Sequence, residues 1–558
     1  MNRLKTEIRA MGCAILLLGW QPVHAAVITA ASGTEAAVTA AIAQASPGDT
    51  VQIPAGTWTW TAGKIDFSGI TLAGAGTNAT FIVDNLPNAW GNFGGFLSAT
   101  PKTNVLTRLT GITFTDNGAG IQSYKGKVLI DNRAYNAIAP WRIDHCLFIN
   151  LNGNNIFPYG NGGLIDHCTF LLRAEAVSHY GLSVNPANPW NAGDPQNDSW
   201  GDLPYHNQPK YGSTNALYIE SCYFTNYSGL GAPAVFDGYA GSESVFRDNV
   251  LFNCAWYNHG NDTSGRYRST RRYEIYDNTF INSQNWVTAM DFRGGTGVVF
   301  SNSVSGFKMF NTIENYRNVQ PNSPFGGVDG INTWDKISST VYFTGINTVA
   351  GGKVTCPGAN WTPHQWRGYV VRDPQASSIA VGHGAGTVNF CLIQDNTADT
   401  LFMIQPKDFQ IVFNVGDEFK IYLVEAGLDQ VGRGSGELLS DASVGSWPNS
   451  VSYTFSVVTH TNSWPNQALE PLYSWNNTME GAPSGISSPY PNIQEGRDIY
   501  YNTPKPGYTP YSFPHPLVTF LDGTNSSSGS GGGGGGGGTN TTGTNALPPV
   551  SGLRYFIR

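Results

Sequence analysis

Charge is what this chain of 558 residues has least of: Asp, Glu, Lys and Arg together make up 13%, against roughly 25% in an average soluble domain. That shortage excludes a coiled coil or helical bundle, which needs Glu, Lys, Arg and Leu in quantity. A basic excess is missing too. The formal net charge is −8 and the pI about 5.7, which argues against a counterion-releasing nucleic-acid partner. The seven cysteines contain no C-x-x-C pair, so a structural zinc or thioredoxin-type site is set aside. Beyond the N-terminus no run of eighteen apolar residues occurs, and no transmembrane segment is expected. Glycine (67 residues) and aromatics (12%) are abundant. The length suits two to four ordinary domains or one elongated repeat array.

Arg3, Lys5 and Arg9 precede an apolar run from Ala10 to Trp20, and Val23-His24-Ala25 has the form of a small-residue cleavage site. The run is too short to span a bilayer, so residues 1–25 read as a secretory signal peptide. Without them 28 basic and 38 acidic residues remain, a net −10. The expected location is secreted or cell-surface, extracellular or periplasmic. In an oxidising compartment Cys356–Cys391 is the favoured bridge. Cys146, Cys168 and Cys222 read equally well as buried thiols.

The decisive pattern is a repeat. Ile143-Asp144-His145-Cys146-Leu147-Phe148 aligns with Ile165-Asp166-His167-Cys168-Thr169-Phe170 and Ile219-Glu220-Ser221-Cys222-Tyr223-Phe224. Phe246-Arg247-Asp248-Asn249-Val250-Leu251, Ile275-Tyr276-Asp277-Asn278-Thr279-Phe280 and Val299-Phe300-Ser301-Asn302-Ser303-Val304 follow. The Cys or Asn recurs at spacings of 22, 54, 27, 29 and 24 residues. Hairpin strands would return every 8–12 residues. The longer period predicts a solenoid in which each coil adds one parallel rung and stacks like on like, about 4.8 Å apart. An Asn at the ladder position can hydrogen-bond along the stack through both ends of its amide. The same spacing brings Cys146 and Cys168 within disulfide reach.

An Ala-rich stretch from Glu35 to Gln44 is predicted to be a helix capping the open end. Pro47-Gly48-Asp49-Thr50-Val51-Gln52-Ile53-Pro54-Ala55-Gly56-Thr57-Trp58 and Ile70-Thr71-Leu72-Ala73-Gly74 follow it. With the Cys/Asn ladder, these runs resemble the pectate-lyase-like right-handed parallel β-helix superfamily over roughly Val27 to Asn332. The resemblance implies an all-β fold: a right-handed parallel β-helix solenoid with an N-terminal helical cap. It says little of activity, because the superfamily holds lyases, hydrolases, isomerases and non-catalytic adhesins.

The parallel β-helix is therefore expected over 26–335. Residues 336–450 lose the ladder and alternate like strands, suggesting a small all-β domain, inserted or appended. The Trp/Pro-rich 451–522 resembles the tails of secreted bacterial β-helix proteins and is expected to pack back along the coils. A Gly/Ser/Thr linker (523–545) and a short C-terminal tail (546–558) complete the chain.

About 9–15 residues after each ladder position a second stacked strand is expected. Val177-Ser178-His179-Tyr180, Val235-Phe236-Asp237, Tyr257-Asn258-His259, Met290-Asp291-Phe292-Arg293 and Ile313-Glu314-Asn315-Tyr316-Arg317 fill those places. Alternation puts one face of each strand outward, so their ionisable groups could form a polar column; an ordinary solvated sheet face is the plain alternative. Two loops could wall it. Leu182–Ser213 carries Trp190, Trp200 and Tyr205, flat faces suited to sugar rings. Gly260–Arg272 carries Arg266, Arg268, Arg271 and Arg272, whose forks match carboxylates unless they pair with acids such as Asp262 or Glu274.

These residues suit β-elimination on an acidic polysaccharide, which needs a cation on the uronate carboxylate, a base for the α-proton and an acid for the leaving oxygen. Arg293 and Arg271 are the candidates for the carboxylate, with Arg317 beside them in binding. His259 is the candidate base and His179 or Tyr180 the acid. Calcium would replace an arginine if Asp237 and Asp291 converge. The same two carboxylates could instead serve a glycoside hydrolase. A non-catalytic, adhesin-like glycan binder is the other reading. His145 and His167 look like a zinc pair, but repetition of the fold explains their similarity. The expected partner is an extracellular polysaccharide; monomer and trimer both remain open.

Overall fold

The computed structural model describes residues 25–86, 95, 97–116, 127–132, 139–149, 155–160, 162–172, 211–214, 216–227, 234–238, 241–258, 269–284, 286–313, 341–367, 369–380, 390–405, 409–423, 431–432, 470–489 and 493–520. The chain is a parallel β-helix of three faces, wound in the right-handed sense that parallel crossovers adopt. The first face is a twelve-stranded sheet running from Val27–Thr29 to Ile499–Tyr501. The second has eleven strands, from Gly56–Trp60 to Ala482–Ser484. The third is made of two four-stranded sheets, Ile65–Asp66 to Ile156–Tyr159 and Ala234–Gly238 to Met309–Ile313.

Register bears out the stacking. Ile143, Ile165, Ile219, Phe246, Ile275 and Val299 pair in succession on the first face. Phe148, Phe170, Phe224, Leu251, Phe280 and Val304 do so on the second. The Phe148–Phe170 and Phe170–Phe224 rings stack at 4.9 and 4.8 Å, so the core is a pile of like side chains. Between the two faces the chain turns through a single left-handed residue: His145, His167, Ser221, Asp248, Asp277 and Ser301 have φ of 48–56°. A non-glycine residue holds that conformation at some cost, which the buried ladder residue after it offsets.

Two chemistries fill the ladder. Asn249 Nδ2 donates to Ile219 O and to Asn278 Oδ1, both at 3.0 Å, and Asn278 Nδ2 donates to Asn302 Oδ1 at 2.9 Å. The thiols of Cys146, Cys168 and Cys222 instead point at Leu109, Ile143 and Ile165 carbonyls, 3.6–3.9 Å away. The six described cysteines are free, so the expected bridges do not form. In the antiparallel sheet, the strand Thr400–Ile404 lies between the Cys391 strand and the Lys353–Thr355 strand that leads to Cys356. Two strand spacings exceed the about 7 Å that a disulfide can span.

The helix Glu35–Ile42 caps the stack with Val38 and Ala41 buried; Thr34 caps its N-terminus, and the Glu35 carboxylate accepts from the Ala62 and Gly63 amides. After Met309–Ile313 the chain leaves the solenoid. Residues 341–423 build a six-stranded antiparallel sheet with its own core, including Val354, Trp361, Trp366, Ile393 and Phe419. It is an insertion, because parallel coils resume beyond it: Leu472–Trp475 pairs with Thr296–Phe300. There Asn477 takes the next ladder place, its Oδ1 accepting from Asn302 N at 3.0 Å.

Residues 508–518 then run back along the outer first face. Arg247 donates to Tyr511 O and Ser512 O, both at 2.8 Å, Glu220 accepts from His515 N at 2.8 Å, and Arg142 donates to Val518 O at 3.1 Å. Among the described residues no helix is long and apolar enough to cross a membrane.

Candidate functional site

On the third face the strands Ala234–Gly238, Ala255–Asn258, Thr288–Phe292 and Met309–Ile313 lie in order. Phe236, Trp256, Met290, Phe292 and Ile313 point into the core. Alternation therefore turns Asp237, Tyr257, Asp291 and Thr312 outward, and register stacks them in one column. Of the residues expected in a polar column, Asp237 and Asp291 stand in register here, with Tyr257 and Thr312 as the other members.

Within it, Asp291 and Arg293 are neighbours. Asp291 Oδ2 accepts from Arg293 Nε at 3.2 Å, and Oδ1 accepts from the Thr312 hydroxyl at 2.7 Å. Both charged side chains are buried, 7% and 5% exposed for Arg293 and Asp291, and attraction between them is stronger there than in water. The backbone under Arg293 is pinned by Asn258, which is fully buried. Its Oδ1 accepts from Arg293 N at 2.7 Å and its Nδ2 donates to Gly294 O at 3.0 Å. The corner then closes through Gly295, φ 74°, where a Cβ would stand 2.0 Å from Thr270 O. Only glycine fits so close an approach in a left-handed conformation.

Arg271 sits on the coil before, where its backbone O accepts from Thr296 N at 3.1 Å. Its charge acts on Glu243 at the start of the first face. Burial pushes Glu243 up to about 7, against the pull of Arg272 and Arg271; Arg272 Nη2 donates to Glu243 Oε2 at 3.0 Å. The structure thus joins Asp291 to Arg293, keeps Asp237 in their column, and gives Arg271 an acidic neighbour of its own. His259, His179, Tyr180, Trp190, Trp200, Tyr205, Arg266, Arg268 and Arg317 lie outside the described residues.

Sequence reasoning did not single out Asn258 and Thr312, which hold the pair. Thr312 becomes visible once the register is known, because it stands opposite Asp291 one coil on. Asn258 carried a signal of a kind already in use, a buried amide at a coil corner.

Calcium does not fit Asp237 and Asp291 as a pair. Tyr257 separates them by a coil, placing them roughly 10 Å apart, and Ca–O bonds of about 2.3–2.6 Å cannot bridge that gap. Among the described residues no group of three or more His, Cys, Asp or Glu gathers as a metal cage. The same separation is too long for a retaining hydrolase, whose carboxyl groups stand about 5–5.5 Å apart, and lies at the upper edge of the inverting range.

No family model and no curated protein matches the chain. Solved structures do. One is the polysaccharide lyase family 6 alginate lyase AlyGC, 15% identical with a TM-score of 0.30, covering 55% of this chain and 42% of its own. A second is an alginate lyase from Paenibacillus sp. str. FPU-7, at 14% and 0.30, covering 50% of this chain and 94% of its own. A third is a pectin methylesterase in complex with a hexasaccharide, at 11% and 0.29, covering 47% and 90%. At such identities and scores the likeness is one of fold and carries no residue-level correspondence.

Proposed function

We propose that this protein is a polysaccharide lyase that cleaves a uronate-containing polymer by β-elimination along the outer third face. The observation that supports this reading is Arg293: a guanidinium held in place through its backbone by Asn258 and through its side chain by Asp291, beside a column of polar groups. A positioned fork of this kind matches a carboxylate bidentately.

In the proposed reaction Arg293 pairs with the uronate carboxylate, which stabilises negative charge developing at the adjacent carbon. His259, the residue after Asn258 in the chain, removes the proton from C5. The electron pair forms the C4=C5 double bond as the C4–O bond breaks, and His179 or Tyr180 protonates the leaving oxygen. Trp190, Trp200 and Tyr205 would stack on sugar rings, with Arg266, Arg268, Arg271 and Arg317 as further carboxylate contacts. The substrate class implies an extracellular or periplasmic site of action, in keeping with the leader-like residues 1–25.

A second reading, a glycan-binding protein without catalysis, is favoured by one observation: Asp291 and Arg293 are buried and neutralise each other. Supplying pectate, alginate and glycosaminoglycans and following ultraviolet absorbance of unsaturated products separates the two. The lyase reading predicts absorbance growing with one polymer and abolished by His259→Ala. Retention of a polymer with no absorbance establishes the binder, and neither signal from any polymer overturns both.

A further inference from the structure

A second constellation lies at the corner between the first and second faces, away from the column. His145 and His167 occupy its left-handed position in successive coils, with φ of 48° and 51°. Their rings stack with centroids 5.1 Å apart and planes 3° apart, and the side chains are 59% and 44% exposed. Each Nδ1 meets the carboxylate of the preceding residue, Asp144 at 2.8 Å and Asp166 at 2.7 Å.

Those carboxylates are completely buried and clamped. Arg108 grips Asp144 through two bonds of 2.6 and 2.8 Å, and Thr110 adds a third at 2.7 Å. Arg142 grips Asp166 through two bonds of 2.7 Å. Each Nδ1 is turned to an acceptor that an arginine already grips, which puts Nε2 on the outward edge of its ring. Repetition of the fold sets the same Asp-His pair in both coils, and each acid is gripped by an arginine of its own.

A carboxylate on the far nitrogen is the partner that metal-ligating histidines carry, fixing ring and tautomer and raising basicity. In a site completed by water, two bonds of about 2.0–2.1 Å hold their nitrogens about 3 Å apart, so the exposed parallel rings have to tilt towards each other by about 2 Å. Imidazole donors suit Zn, Cu and Ni. We propose that His145 and His167 form a two-imidazole surface site for a borderline divalent transition metal, Cu²⁺, Ni²⁺ or Zn²⁺, with water in the remaining positions. The site is independent of the lyase reading.

The test is Cu²⁺ titration of the full-length protein, followed by calorimetry and electron paramagnetic resonance, in wild type, His145→Ala, His167→Ala and the double variant. Circular dichroism checks that the exposed substitutions leave the fold intact. The expected result is one copper with two-nitrogen coordination that the double variant lacks, each single variant binding at least tenfold more weakly through one nitrogen. The proposal is overturned if the double variant binds copper as the wild type does, or if either single variant keeps the two-nitrogen signature.

Discussion

Two columns of charge run along the outside of this helix, and they are answered differently. On the first face Asp166, Glu220 and Arg247 stand in register, and every one is buried. Arg247 pairs with Glu220 at 2.6 Å, Arg142 with Asp166 at 2.7 Å, and both arginines donate to carbonyls of the returning 508–518 segment. That column is a seam, joining the end of the chain to its middle. On the third face Asp291 and Arg293 sit two residues apart, braced by Asn258 and Thr312 from neighbouring coils. In a chain so poor in charge, an ionisable column marks either a seam or a site, and its partners distinguish the two.

Substitutions can break that distinction. The largest effect is expected from Arg247→Ala, which leaves Glu220 buried without its cation; losing one partner of a buried pair costs about 3–5 kcal/mol. Thermal or denaturant unfolding should show that loss, with product formation per folded molecule unchanged. Arg293→Ala should do the reverse in kind, lowering lyase turnover by about 10²–10³-fold, the scale of losing one stabilising donor. Rescue by Arg293→Lys should be partial, because an ammonium lacks the fork.

Acid should open the seam before it harms the rest of the fold. Burial, and then the charge of Arg247, push His515 down to about 4; the ring packs against Tyr218 at 4.7 Å, and its Nδ1 accepts from Leu517 N. A folded-state value below the free value of about 6.5 means that the folded chain resists protonation. The stability tied to His515 is therefore present above pH 6.5 and lost as pH falls from 6.5 towards 4, by up to about 3 kcal/mol. Melting curves over that range should steepen in the wild type and flatten in His515→Gln.

The smallest effect belongs to the ladder. Cys168→Ala removes a thiol whose bond to Ile143 O is long, 3.6 Å, and should cost about 1 kcal/mol. Asn278→Ala, which strips amide bonds to two coils, should cost more by unfolding measured in the same way.

The fold was legible because each coil poses the same local problem, and the chain answers it with the same six-position pattern: apolar ends and a Cys or Asn at the fourth place. Asn477 escaped because 175 residues separate it from Asn302 in sequence although one rung separates them in space. The packing of residues 451–522 back along the coils was expected, but not its partners: Arg247 and Tyr511 are 264 residues apart. Asp291 and Arg293 could be picked out together because they lie two residues apart in the sequence. The acidic neighbour of Arg271 depends on register, since Arg272 pairs with Glu243 across coils, and spacing alone does not reveal it.

The most direct test of the account is a crystal structure with a uronate oligosaccharide bound. It should show a sugar carboxylate on the Arg293 guanidinium, beside the Asp237–Tyr257–Asp291–Thr312 column. An oligosaccharide bound on another face, with the Arg293–Asp291 pair undisturbed, would contradict it.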